Sequence, residues 1–398
     1  MARQRVLIVG ASLAGVSAAE RIRQRGDDVE IVVIGDEAEW PYDRPPLSKQ
    51  VLTGTGRVQL LHEPSWYAAH DIQLRRATRA VSLEADRTAV ALSDGETLAA
   101  DAILIATGAR ARRVPAWAGR RGVHYLRSAA DSRALGLALN NVGSLIVVGC
   151  GFVGLEVAAA ASRRGWRVTV VESAAAPLQR VLPAELAVAC VAGYLEAGVN
   201  IRTGATVTEL VGTLTVRAAR LSSGELLEAD LVVVGVGAVP NTEWLAGAGL
   251  DVGDGVRCGA DGRTNRPGIW AAGDVAAWHN TLTGTSGRVE QWQAARDHGA
   301  RVADAILGDQ ARWDTPPYFW SDLLDAKLQF SGCFTSGMRT HTARSGRKLV
   351  AVVGERELCG VVTLGSPKWQ GLGQRHLLAR TNFDEACSWA DQCVARAA

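Results

Sequence analysis

A strand that runs into a glycine turn and then a helix occurs twice in this chain, as "VLIVGASLAGVSAAE" at residues 6–20 and "LIVVGCGFVGLEVAA" at 145–159. Glycine lets the backbone turn sharply at the strand end, and a continuously apolar strand belongs in a sheet covered on both faces. The pattern predicts a strand over 5–9, a helix over 14–24 and a strand over 29–34. The same grammar returns as a strand over 144–148, a helix over 153–164 and a strand over 167–171. Each unit is followed by another apolar strand ending in glycine, "DAILIATGA" from Asp101 and "DLVVVGVGAVPNT" from Asp230. A βαβ unit repeated at domain scale argues for an α/β protein. After Asp314 the chain turns aromatic and lacks any glycine fingerprint. There, "GRKLVAVVGERELCGVVTLG" at 346–365 predicts an antiparallel hairpin in a third domain.

A chain of 398 residues exceeds one ordinary core, so two or three domains are expected. The 43 basic and 41 acidic side chains nearly cancel, which gives no strongly basic field for nucleic acid. "MARQR" leads straight into a strand, and no apolar run nears the roughly 20 residues of a membrane helix, so a cytoplasmic protein without membrane contact is expected. The seven cysteines (150, 190, 258, 333, 359, 387 and 393) are odd in number, scattered and free of any C-x-x-C. Neither a disulfide framework nor a metal site is suggested.

The second glycine turn meets every clause of a dinucleotide fingerprint. Gly149 permits the tight turn, Gly151 lets the backbone approach phosphate, Gly154 allows close helix packing, and Glu172 ends the next strand where it accepts from ribose hydroxyls. The first has Gly10 and Gly15 but Ser12 in the middle, with Asp36 or Glu37 supplying the acid. One nicotinamide cofactor needs one such turn. Two turns suggest NAD(P)H paired with FAD, the flavin taking two electrons together and releasing them singly.

Further blocks agree. "YDRPPLSK" at 42–49, "IATGARAR" from Ile105, "GVGAVPNT" from Gly235, "TNRPGIWAAGDVA" from Thr264, "VEQWQAARDHGARVADAILG" from Val289 and "PYFWSDLLDAKLQFSG" from Pro317 follow in order. With the glycine turns, the chain resembles the FAD-dependent pyridine nucleotide oxidoreductases, and within them the oxygenase-serving ferredoxin reductases of putidaredoxin and rubredoxin reductase type. The resemblance implies a glutathione-reductase-like, three-layer α/β fold: two Rossmann-like dinucleotide-binding domains plus a C-terminal α+β domain. The FAD domain would comprise 1–112 and 243–314, the inserted NAD domain 113–242, and the interface domain 315–398. Around FAD it implies Gly10, Ser12, Ala14, Gly15, Asp36, Lys49, Val81, Thr107, Gly108, Arg127, Asp274 and Trp292. For NAD it implies Gly149, Gly151, Gly154, Glu156, Glu172, Arg180 and Gly237, with Lys49 and Glu156 as the catalytic pair. Asp274 would accept from a ribityl hydroxyl, or cap a helix before "VAAW". Glu156 is read in the first helical turn, where the dipole favours an acid.

The implied activity is NADH-dependent ferredoxin reduction: hydride to FAD, then single electrons to a 2Fe-2S or similar ferredoxin feeding a P450 or Rieske oxygenase, by a monomer or weak homodimer. Alternatives of the same fold are a redox-regulated flavoprotein of apoptosis-inducing-factor type, an NADH oxidase and a monodehydroascorbate reductase. Disulfide-reducing relatives keep a redox cysteine beside the flavin. Here that stretch is "PPLSKQVL", with Ser48, and the first cysteine is Cys150. "SPKWQGLGQRHLLA" from Ser366 matches the family pattern poorly. An acidic ferredoxin would need a local basic patch, for which Arg296, Arg301, Trp320 and Lys327 are candidates, with Arg110, Arg112 and Arg113 as the alternative. Trp292, Trp320 and Trp369 are candidates for packing near the flavin or lining the docking face, with core packing as the alternative for each.

Overall fold

The computed structural model describes residues 3–26, 28–179, 181–324, 326–335 and 337–396. It divides into two compact units. One holds the residues up to Asp43 with Gln59–Arg110 and Val239–Tyr318; the other holds Arg44–Val58, Ala111–Ala238 and the chain from Phe319 on. The two predicted helices are present as α1 (Leu13–Gln24) and α2 (Phe152–Ser162). Among the described residues no helix is long and apolar enough to cross a membrane.

The first unit is built on a five-stranded parallel sheet in the spatial order Ile269–Ala271, Ala102–Ile105, Gln4–Val9, Val29–Ile34, Ile72–Arg75. Its central strands are buried over Val6–Val9, Ile31–Ile34 and Ala102–Ile105, as layers on both faces require. The register sets Val9 beside Ile34 and Ile105, and Ile105 beside Ala271, so the strands end together along one edge. A long helix, α3 (Trp292–Ile306), packs on α1 through Gly299, where an added Cβ would meet the Ala14 carbonyl oxygen at 2.1 Å.

On the buried face of α3, His298 stacks on Trp278 at 4.1 Å and meets Trp313 edge-on at 4.4 Å. Neither ring nitrogen has a hydrogen-bond partner among the described residues. Burial, helped by the Arg301 charge, lowers the imidazole to about 3. The unfolded chain takes that proton near pH 6.5, and the folded chain refuses it until about pH 3. The stability contributed by the neutral ring is therefore complete above about pH 6.5 and erodes as the pH falls toward 3, by up to ~5 kcal/mol. His298→Phe, which keeps an aromatic ring in the sandwich, is expected to flatten that acid limb in melts run from pH 7 to 4. An unchanged limb would place the acid sensitivity elsewhere.

The second unit repeats the plan with a parallel sheet in the order Asn200–Arg202, Arg167–Val171, Ser144–Val148, Leu231–Val234, Val123–His124. Its C-terminal region carries an antiparallel sheet in the order Tyr318–Asp322, Lys327–Gly332, Leu358–Leu364, Lys348–Gly354, Arg339–Ser345. The expected hairpin is the pair Lys348–Gly354 and Leu358–Leu364. One apolar cluster joins Leu155, Val157 and Leu186 to Phe319, Phe330, Leu349 and Val362, so the core beneath α2 continues into the C-terminal strands. Trp369 packs with Val361 and Phe383 on the other face of that sheet and is a core residue.

Candidate functional site

The first glycine turn lies at the shared carboxyl edge of the first unit's sheet, where doubly wound sheets bind nucleotides. Gly10 has φ +127°, and a Cβ there would stand 2.0 Å from the Ala106 carbonyl oxygen; one on Gly15 would stand 2.0 Å from that of Gly10. Ser12 is the N-cap of α1, whose first turn holds no acid, so its N–H groups and dipole favour a phosphate. Asp36 follows the next strand and is exposed, whereas Glu37 accepts from the Tyr42 hydroxyl. Of the two acids, Asp36 is the more exposed.

The other strand ends of this edge carry the remaining expected residues. Thr107 and Gly108 follow Ala102–Ile105, and the Thr107 hydroxyl donates to the Asn241 carbonyl at 2.8 Å. Gly108 has φ +64° and open space where a side chain would be. Asp274 sits in a short 3-10 turn after Ile269–Ala271 that leads into the strand Ala276–Asn280, so it caps no helix. Glycine at 273 is required, because φ is +72° and a Cβ would lie 2.9 Å from that of Ala14. Ala14, Asp274 and the turn at Gly10 therefore share one edge. Trp292 opens α3 and its indole N–H donates to Asp43 at 2.6 Å. Val81 is exposed. Lys49 and Arg127 belong to the second unit, where the Arg127 carbonyl accepts from Arg44 at 2.8 Å. An FAD pyrophosphate fits this edge, which offers a bare glycine turn, an acid-free helix end and strand-end acids.

The second glycine turn has the same build with a clearer division of labour. Gly149 has φ +100° and its Cβ would meet the Gly235 carbonyl oxygen at 2.4 Å; that of Gly154 would meet the Gly149 oxygen at 2.4 Å. Gly151 has an extended backbone (φ −85°) and nothing within 4 Å of an added Cβ, an opening for a phosphate. Glu172 follows Arg167–Val171 and accepts from the Cys150 amide at 2.7 Å and the Ala174 amide at 2.9 Å. It braces the turn it was expected to serve. Gly237, at φ +104°, follows the neighbouring strand Leu231–Val234. Arg180 lies outside the described residues. A nicotinamide dinucleotide fits this edge.

Glu156 departs from expectation. Helix α2 begins at Phe152 with Gly151 as N-cap, so its first turn contains no acid and Glu156 is the fifth residue, 7 % exposed. The helix dipole does not explain it. The Lys49 ammonium, itself 18 % exposed, approaches Oε1 at 2.9 Å. Ser321 Oγ donates to Oε1 at 2.7 Å, and Ser48 Oγ donates to Oε2. Lys49 also donates to the Pro45 carbonyl at 3.2 Å. A buried carboxylate is tolerable when a counter-charge and further donors occupy its lone pairs, and this one has all three. The residues 44–58 carry Ser48 and Lys49 into the second unit, where the Ser132 hydroxyl holds the Leu47 carbonyl at 2.6 Å. Ser48 was noted only for not being cysteine, and Ser321 carried no local signal.

The expected basic patch is partly consumed by internal pairing. Arg301 is bound to Asp314 at 3.3 Å, its side chain is 25 % exposed, and Asp304 and Asp309 line the same shallow hollow. Asp304 and Asp309 are themselves paired with Arg21 and Arg25, so Arg301 sits in a network of opposite charges and offers little unpaired charge. Lys327 pairs with Asp322 and Arg110 with Glu243. Arg113 lies over the Tyr125 ring, and Arg112 donates to the Ala238 carbonyl at 3.4 Å. Arg296 is exposed beside the Trp292 ring. All seven cysteines are free, and burial raises the Cys150 thiol to about 12, which keeps it protonated and inert.

Comparisons with known proteins agree with this geometry. Residues 4–299 match the pyridine nucleotide-disulphide oxidoreductase family. The chain is 40 % identical over 347 residues to the ferredoxin–NAD(+) reductase component of the anthranilate 1,2-dioxygenase system of Burkholderia cepacia, covering 84 % of this chain and 83 % of that protein. It is 38 % identical over 375 residues to a rubredoxin-NAD(+) reductase of Pseudomonas putida, covering 92 % and 97 %. The reductase in the covalent putidaredoxin reductase–putidaredoxin complex superposes with a TM-score of 0.91 at 32 % identity, covering 96 % of this chain and 94 % of that one. With two glycine cradles at two parallel sheet edges and relatives matched over most of its length, the chain belongs to the pyridine nucleotide-disulphide oxidoreductase family, among its ferredoxin reductases.

Proposed function

We infer that this chain passes electrons from NADH through FAD to an iron–sulfur ferredoxin that serves an oxygenase. The observation that carries the reading is the pair of glycine cradles, each at the carboxyl edge of its own parallel sheet, in a chain with reductase relatives. We assign FAD to residues 1–112 and 243–314, NAD to 113–242 and the acceptor-facing role to 315–398. Bound FAD supplies the conversion between a two-electron donor and a one-electron acceptor. Gly10, Ser12 and the first turn of α1 would hold its pyrophosphate, Asp36 its ribose and Asp274 its ribityl chain, with Arg127 adding charge. Gly149, Gly151 and Glu172 would hold NADH. Lys49, kept in place by Glu156, would face the flavin's N5, where a cation stabilises negative charge. Arg296 is the strongest candidate to steer an acidic partner. NADH supply and seven unbridged cysteines favour the cytoplasm.

The test is anaerobic stopped-flow. NADH should bleach the flavin within the time of turnover, and oxidised ferredoxin should restore its absorbance faster than air does. Protein without flavin bands, or reduced protein that a panel of ferredoxins leaves unoxidised, would overturn the reading; a long-lived reduced complex would favour a regulatory flavoprotein.

NADH should be preferred to NADPH, because Glu172 meets a 2′-phosphate with like charge. Glu172→Gln is expected to narrow the kcat/KM ratio of the two cofactors by about tenfold, the worth of a charged hydrogen bond. Equal kcat/KM values in the unaltered protein would remove Glu172 from that role.

A further inference from the structure

Glu156 is the one charged residue of α2, and its surroundings show how it is held. Phe152 and Glu156 are four residues apart, about 6 Å along the helix. In the strand Tyr318–Asp322, Phe319 and Ser321 point to one face and are two residues apart, about 6.6 Å. The spacings match and the pairs meet: the Phe152 and Phe319 rings lie 4.7 Å apart, and Ser321 Oγ lies 2.7 Å from Glu156 Oε1. Ser321 is wholly buried and has one hydroxyl proton, which goes to the carboxylate. Lys49 reaches the same Oε1, while Ser48 holds Oε2. Ser321 is therefore the donor that fixes the oxygen to which Lys49 is bound.

We propose that Ser321 is a positioning residue for hydride transfer, holding Glu156 so that Lys49 keeps its place. This rests on the role given to that pair above. The C-terminal strand then contributes to the nicotinamide machinery as well as to the acceptor side.

The test uses the full-length protein as wild type, S321A, S321T, E156L and S321A/E156L. The first readout needs no cofactor: acylation of the Lys49 amine by sulfo-N-hydroxysuccinimide acetate, followed by peptide mass spectrometry. An ammonium held in an ion pair reacts slowly, and S321A should raise its rate by about threefold or more. S321T, which keeps the hydroxyl, should return it to near wild type. In the second readout, S321A should lower the limiting rate of flavin bleaching at saturating NADH by about tenfold while the NAD+ dissociation constant from titration calorimetry stays unchanged, because geometry is altered and binding is not. In the E156L background S321A should change neither readout. Should S321A fail to fold, S321C, a much weaker donor, is read in its place. Unaltered Lys49 acylation in S321A overturns the proposal, as does a bleaching deficit of equal size in the E156L background, which would mark a packing role. A wild-type protein that NADH leaves yellow would sink the underlying reading instead, and the acylation rates would still say whether Ser321 holds the pair.

Discussion

Lys49→Met is expected to slow the limiting rate of flavin reduction by NADH roughly a hundredfold, the order of loss that follows when a catalytic group is removed from a positioned site. The same change should lower stability. Glu156 is 7 % exposed and would keep two hydroxyl donors but lose its counter-charge, and stripping one partner from a buried ion pair costs about 3–5 kcal/mol. Adding Glu156→Leu replaces the second charge by an apolar side chain of similar volume. The double variant should therefore recover part of the melting temperature, because the uncompensated buried charge is gone although the Ser48 and Ser321 hydroxyls lose their acceptor. It should recover none of the rate. Stability regained without activity separates the chemistry of the pair from its packing. A Lys49→Met protein reduced at the wild-type rate, or a double variant that regains the rate, would remove Lys49 from the machinery.

The strands around the two turns were legible because each is an unbroken apolar run closed by glycine. Residues 29–34, 144–148 and 167–171 form strands with the expected bounds. The orientation of Glu156 was not legible, since α2 is buried on nearly every side and has no polar face from which a phase can be read. Nor were its hydroxyl donors. Ser48 and Ser321 stand 108 and 165 positions away, and only the tertiary fold joins them. The pairing of Arg301 was hidden for a related reason: an arginine on an amphipathic helix reads as surface charge, while its partner Asp314 lies 13 positions on, beyond the end of the helix. Asp274 was ambiguous because "GDVAAW" suits a helix start, yet a left-handed Gly273 packed against Ala14 turns the chain into a strand. The glycines were the most informative residues, and they can be tested against one another.

Gly10→Ala and Gly151→Ala alter equivalent fingerprints but should fail in opposite ways. At Gly10 the backbone lies at φ +127°, where an L side chain is strained, and the new Cβ would sit 2.0 Å from the Ala106 oxygen and 2.3 Å from its carbonyl carbon. Both are backbone atoms at the end of a central strand, so the sheet edge must move. The expected cost is about 3 kcal/mol or more from strain and overpacking, with a lower melting temperature and FAD lost during purification. Gly151 has an ordinary φ of −85° and no atom within 4 Å of the added methyl, so the protein should fold and melt as before and keep its flavin. The methyl would instead occupy the opening assigned to the NADH pyrophosphate, and the NADH dissociation constant should rise by about tenfold or more while the flavin spectrum is unchanged. Melting curves, flavin content and NADH titrations on the two variants decide the matter. Gly151→Ala protein that binds NADH like wild type would show that the phosphate does not pass over that turn, and Gly10→Ala protein that keeps both its stability and its FAD would show that the edge beside Ala106 can give way.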